Sequence, residues 1–337
     1  MKGAESLREA STTLNVEKSG TTTRRRWFSP ILAVPTPVIF IAAAALALGL
    51  LWRGGGLHDF IASMRDIHPT RLIAVLLVYA TSLLLLGIRW HTLVRMAGGS
   101  PGWASSAEVF LTSVIVNYAA PIGLAVPTRA ALTVRDLGMT RGQSGAVVGW
   151  EAVLDVLALS IISVAWLVPG GAVLLQTVTF DGPVLAIGAA LLVLVAVAVG
   201  VMARSRSIRS RLAPFARRMI SNPVEHPLLA LLALVLTGAF WLIQIGVMAA
   251  ILDMVGAAYS PMLLLGIMGL PMLIGMLSPV PGGAGVREAL MAAAARLEGT
   301  PAGPVVLAAI TYRLALLVVT PLVWAAVRLA RHVAHRR

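Results

Sequence analysis

Apolar residues in this chain run in long unbroken stretches, not in the alternating or striped patterns of a water-soluble fold. Those at 31–52, 72–94, 145–168, 183–202, 227–252 and 305–326 are each long enough for a helix to cross a bilayer core of about 30 Å. Two others, 104–117 and 262–277, are shorter, and each runs into a proline- and glycine-rich segment. The first segment is Pro121-Ile122-Gly123-Leu124-Ala125-Val126-Pro127, the second Pro279-Val280-Pro281-Gly282-Gly283-Ala284-Gly285. Proline and glycine at that density end a helix. Non-helical backbone persists at membrane depth only where protein or a water-filled cavity covers it. The pattern predicts an all-α polytopic membrane protein with about six full spans and two re-entrant or broken helical hairpins. The polar residues 1–30 read as a disordered cytoplasmic tail, 31–330 as the transmembrane domain, and 331–337 as a basic cytoplasmic tail.

Composition sharpens this picture. Of 337 residues, 58% are hydrophobic and only 12% charged, with a mean hydropathy of +0.88, which excludes a water-soluble enzyme. The net charge is +13, and lysine occurs only at Lys2 and Lys18, so arginine carries the excess. In a membrane protein this marks cytoplasmic loops and affinity for anionic headgroups, not nucleic acid. Segment 204–218 holds six arginines, whereas 169–182 and 253–261 hold no Lys or Arg. With the arginines of 328–337, this puts both termini in the cytoplasm. Arg53, Arg65 and Arg71 break the rule, and eight full spans would satisfy the charges equally well. Cysteine is absent and the six histidines lack metal-ligand spacing, so no metal or cofactor is expected.

One offset aligns the two halves, about 31–180 and 183–327. Pro121 maps to Pro279 (279 − 121 = 158), and the same shift takes Arg129 to Arg287, Asp155 to Arg313 and Trp166 to Trp324. With three crossings per half, the halves would be inverted relative to each other, the plan of many secondary transporters.

A charge inside a span costs several kcal/mol, about 2.5–3.5 on insertion scales, unless paired or hydrated, so the few present are functional candidates. Glu151 and Asp155 lie four apart on one helix face, and Arg313 sits at the repeat-equivalent place of Asp155. A central charged gate of Glu151, Asp155 and Arg313, paired between halves, is the expectation; a purely structural ion pair is the alternative. Arg129 and Arg287 each follow a break, at the first turn of the outgoing helix. There a guanidinium and free backbone N–H groups can hold phosphate. For Arg287 an interfacial anchor is the competing reading, and for Arg129 a plain basic cluster with Arg135 and Arg141. Gly282, Gly283 and Gly285 would let a headgroup approach the backbone. Glu288 would orient Arg287, and Asn117 would bond exposed backbone at the first break. Trp166 and Trp324 read as interfacial-belt residues. No nucleophile, metal motif or nucleotide loop stands out, and the paired carboxylates are the single feature favouring an enzyme.

The segment Asn117-Tyr118-Ala119-Ala120-Pro121-Ile122-Gly123, then Arg129 and Glu151-Ala152-Val153-Leu154-Asp155, resembles the first half of the lysylphosphatidylglycerol synthase transmembrane-region family. Pro279-Val280-Pro281-Gly282-Gly283-Ala284-Gly285-Val286-Arg287-Glu288, followed by Tyr312-Arg313, resembles its second half. The resemblance covers roughly 35–330. It implies a flippase-like membrane domain, as in the multiple peptide resistance factor, which moves aminoacylated phosphatidylglycerol between leaflets. The soluble synthase domain of that protein has no counterpart in these 337 residues, so aminoacyl transfer is not expected. Val126-Pro127 stands where relatives carry a glycine-and-acid pattern, which weakens the symmetry of the two breaks.

The leading expectation is therefore a non-enzymatic flippase or transporter of an anionic or aminoacylated phospholipid or lipid-linked precursor, in a bacterial plasma membrane. A non-transporting accessory subunit of a membrane glycosyltransferase or envelope-assembly complex is the alternative. A homodimer and an envelope-biosynthesis partner both stay open.

Overall fold

The computed structural model describes residues 69–119, 125–177, 206–278, 283 and 285–335. The tail at 1–30, the spans at 31–52 and 183–202, and Gly282 lie outside the described residues, as do Pro121 to Leu124 and Pro279 to Pro281.

Every described element is helical. In chain order they are α1 (Pro69–Met96), α2 (Trp103–Ala119), α3 (Ala125–Leu137), α4 (Arg141–Thr177), α5 (Arg206–Glu225), α6 (Pro227–Met254), α7 (Pro261–Met268), α8 (Leu270–Leu277), α9 (Val286–Leu297) and α10 (Ala302–His335). Among the described residues, the helices long and apolar enough to span are Pro69–Met96, Arg141–Val168, Pro227–Met254 and Ala302–Val333. They match four of the six expected spans. Their outward residues, such as Leu77, Ile161, Leu242 and Leu322, are exposed and apolar, as lipid contact requires. Two segments read as loops are helical instead. α4 continues past Pro169, and the arginine-rich stretch forms α5, whose Phe215 packs at Gly145 and Gly149 of α4.

The helix ends repeat with the same shift. α1 and α6 are related by 227 − 69 = 158 and 254 − 96 = 158. α2 corresponds to α7 plus α8 (261 − 103 = 158; 277 − 119 = 158), and α4 and α10 end 335 − 177 = 158 apart. α3 and α9 depart from the shift by two or three residues, and proline and glycine explain a larger difference, for α2 is continuous while its counterpart breaks at Gly269-Leu270-Pro271. Packing repeats too: α1 lies on α6, α2 lies on α10, and the counterpart pair α7 and α8 lies on α4.

Helix directions reveal the inversion. Gln143, near the start of α4, donates to the Ala97 carbonyl just after α1 ends, while Arg89 further back in α1 meets Asp155 further along α4. These helices are antiparallel. α1 and α2 form an antiparallel pair as well, with His91 by Ser106 and Trp90 by Phe110. Hence α2 and α4 run the same way. A side chain at Gly269 would meet Ser163, and one at Gly266 would meet Trp166, so α7 runs against α4. It therefore runs against α2, its own equivalent, and the halves are inverted. The pairs α2–α3 and α8–α9 are hairpins, with Arg129 packed back on Ser113 and Arg287 back on Gly275.

Candidate functional site

Two charged clusters lie inside the bundle, one per half. In the first, Arg89 of α1 is 2% exposed and forks onto Asp155, with Nη1 2.5 Å from Oδ1 and Nη2 3.0 Å from Oδ2. Its Nη2 is 3.4 Å from Glu151 Oε1 and its Nη1 donates to Thr237 of α6 at 3.3 Å. The Trp241 indole donates to Asp155 Oδ1 at 3.2 Å. Glu151 also binds Nη1 of Arg129, which α3 brings back from the hairpin tip. Arg129 Nε donates to Ser113 at 2.7 Å, and its guanidinium lies 4.5 Å from the Phe110 ring centroid and 5.4 Å from that of Trp90. Two arginines and two carboxylates thus neutralise one another, which offsets the desolvation of each. The i, i+4 spacing on α4 is what lets one helix face serve both arginines.

The second cluster is smaller. Arg313 of α10 pairs with Glu288 of α9, with Nε 2.5 Å from Oε1 and Nη2 3.3 Å from Oε2. The same Oε2 accepts the Gly285 backbone N–H at 2.8 Å. Arg287, one residue before Glu288, stacks over Tyr312 at 5.1 Å. Its Nε and Nη2 are buried, and among the described residues they have no hydrogen-bond partner. Tyr312 in turn meets Tyr79 of α1 edge-on, with centroids 5.4 Å apart, so the Arg287 site abuts the first half.

Several expectations change here. Asp155 and Arg313 do not pair with each other. Each takes a partner from its own half, Arg89 for one and Glu288 for the other. The clusters touch α1 at Arg89 and Tyr79, about 15 Å apart along a helix. Glu288 binds Arg313 and caps α9; it is not the partner of Arg287. That capping occupies the Gly285 N–H expected to receive phosphate. Gly283, at φ +65°, is buried against Gly275, where a Cβ would lie 2.6 Å from the Gly275 Cα, so it closes the hairpin instead of opening a face. Arg129 is already paired with Glu151 and bonded to Ser113. Asn117 lies on α2, but its side chain is outside the described residues. Trp166 is buried and donates to Glu298 at 2.8 Å, and its equivalent Trp324 donates to Thr112 at 3.0 Å, so both clamp the opposite half.

Sequence reading missed Arg89, Trp241 and Tyr312. The signal for Arg89 was present, since it is an arginine inside a full-length apolar run and obeys the same cost argument as Arg313. Its place in the polar triplet Arg89-Trp90-His91, near the end of that run, disguised it as a boundary residue.

The family model described as lysylphosphatidylglycerol synthase TM region matches residues 38–323. The match embraces both clusters, both hairpins, three of the four spans described above and most of the fourth. No curated protein matches this chain.

Proposed function

The chain belongs to the family of the lysylphosphatidylglycerol synthase TM region, a multi-pass membrane family of lipid and envelope metabolism, and from that premise we propose that it moves an anionic lipid between leaflets. One observation carries the reading. Arg287 is half-buried, and the buried Nε and Nη2 of its guanidinium have no hydrogen-bond partner among the described residues. A buried unpaired cation is costly, and a fold keeps one where a ligand supplies the counter-charge. In a membrane an abundant anion is the lipid headgroup phosphate, which matches the guanidinium fork.

The inverted halves supply a route. Rocking one half against the other would expose Arg287 to each side in turn while acyl chains stay in lipid. The neutral Arg89–Arg129–Glu151–Asp155 cluster would hold the first half rigid, and Arg313–Glu288 would keep the second hairpin anchored beside the cation. The protein acts as a transporter and not an enzyme, in a bacterial plasma membrane with α5 and both termini on the cytoplasmic side.

The test is reconstitution in vesicles carrying a fluorescent anionic phospholipid and a membrane-impermeant quencher. Protein-dependent movement between leaflets that falls at least about tenfold in Arg287→Ala supports the reading, since a charged hydrogen bond is worth that much. Unchanged movement in that variant would overturn it. The alternative, an accessory subunit, has no use for an unpaired buried guanidinium. Stable co-purification with an envelope enzyme, together with no lipid movement, would favour it instead.

A further inference from the structure

Arg129 and Arg287 are repeat equivalents, yet one has a carboxylate partner and the other, among the described residues, has none. The difference is written in the residues 158 positions on from each partner of Arg129. Glu151 becomes Ala309, Ser113 becomes Pro271, Phe110 becomes Met268 and Trp90 becomes Met248. The second half thus keeps the cation but loses its carboxylate, its hydroxyl acceptor and both of its rings. Tyr312 supplies a new ring face. Nothing described supplies a new anion.

Ala309 is buried and lies three and four residues before Tyr312 and Arg313, hence on the face of α10 that meets Arg287 and Glu288. Among the described residues the first cluster balances two arginines with two carboxylates, whereas Arg287, Arg313 and Glu288 leave one positive charge over.

We propose that a singly charged phosphate group of the ligand takes, beside Ala309 and Arg287, the place that the Glu151 carboxylate takes beside Arg129. Resting on the anion-binding reading of Arg287, this makes the alanine a specificity-determining residue. Alanine supplies neither the bulk nor the charge of one carboxylate, and the ligand completes the half-site that the first half completes for itself. A monoanionic phosphodiester closes the charge balance, while a diphosphate would overshoot it.

The test uses the full chain in detergent, titrated with dioctanoyl-phosphatidylglycerol and, separately, with inorganic phosphate, with binding read by native mass spectrometry. Ala309→Glu should weaken lipid binding at least about tenfold, because the new carboxylate competes for Arg287, while Ala309→Gln, equal in size but uncharged, should change it less than about threefold. Equal losses in both variants would overturn the proposal, since bulk alone would then account for the effect. Unchanged binding in Ala309→Glu would overturn it too, with the Arg287 reading intact. If neither larger side chain is accommodated, Glu151→Ala decides. That truncation turns the first half into a likeness of the second, and should add a second bound lipid per chain; no added lipid counts against the proposal. A wild-type chain that binds neither probe, or an Arg287→Ala chain that binds both as wild type does, removes the underlying reading and this inference together. Binding of the lipid without competition from inorganic phosphate supports the proposal with a headgroup as the source. Displacement by inorganic phosphate supports it with a soluble anion as the source.

Discussion

Asp155 and Arg313 occupy equivalent places on α4 and α10 with opposite charge, and each is held by a partner from its own half, Asp155 by Arg89 at 2.5 Å and Arg313 by Glu288 at 2.5 Å. The backbone repeat is thus filled with charges of reversed sense. In the first half the long helix carries acids and the flanking helices carry the arginines. In the second half the long helix carries the arginine and the hairpin carries the acid. Within the two clusters, Arg287 is the arginine without a carboxylate partner among the described residues.

Removing that cation should separate stability from function. Arg287→Met deletes a half-buried charge with two buried, unpartnered nitrogens, so thermal unfolding in detergent should rise by on the order of 1 kcal/mol equivalent while lipid movement is lost. A variant that loses both stability and transport would show that Arg287 is structural.

Arg89→Met leaves Asp155 without its forked partner and Glu151 with Arg129 alone. The expected loss is about 3–5 kcal/mol, the usual cost of breaking a buried pair from one side. Adding Asp155→Asn should recover much of it. A double-mutant cycle on detergent-solubilised protein, with the double variant losing the sum of the two single losses, would contradict direct coupling.

Glu288→Gln removes the charge that holds Arg313 while keeping an oxygen for the Gly285 N–H. Glu288→Ala removes both. The alanine variant should be the more destabilised by about 1 kcal/mol, the worth of the lost cap. Hydrogen exchange at Gly285 would follow the same order.

Gly269 sits where α7 touches α4 backbone to backbone. A Cβ there would lie 2.9 Å from both the Ser163 nitrogen and the Leu265 carbonyl oxygen. Backbone cannot yield as a flexible side chain can, so Gly269→Ala should cost about 2 kcal/mol or more and loosen α4 from α7. Gly246→Ala, with nothing within 4 Å, is the matched control and should be neutral.

At the rim, Arg331 reaches Glu108 at 2.7 Å with its side chain 34% exposed. Such a pair is screened, so Arg331→Ala should cost less than about 1 kcal/mol, and the cost should shrink in high salt.

The sequence by itself determined the helical class, four of the described spans, the two hairpins and the 158-residue repeat. Each is a local consequence of apolar length, or of proline and glycine interrupting it, and backbone hydrogen bonding in lipid leaves no other solution. It also pointed to Glu151, Asp155, Arg287 and Arg313, because a charge in an apolar run is visible without knowing its neighbours. What it could not decide was pairing. Arg89 and Asp155 are separated by 66 residues and Arg313 and Glu288 by 25. Nothing local distinguishes those couples from the Asp155–Arg313 couple that symmetry suggests. Tertiary packing made the choice: Arg89 of α1 lies against Asp155, while Arg313 of α10 lies against Glu288 of its own half. The same packing set Arg287 against Ala309's side of α10, where no described carboxylate answers it.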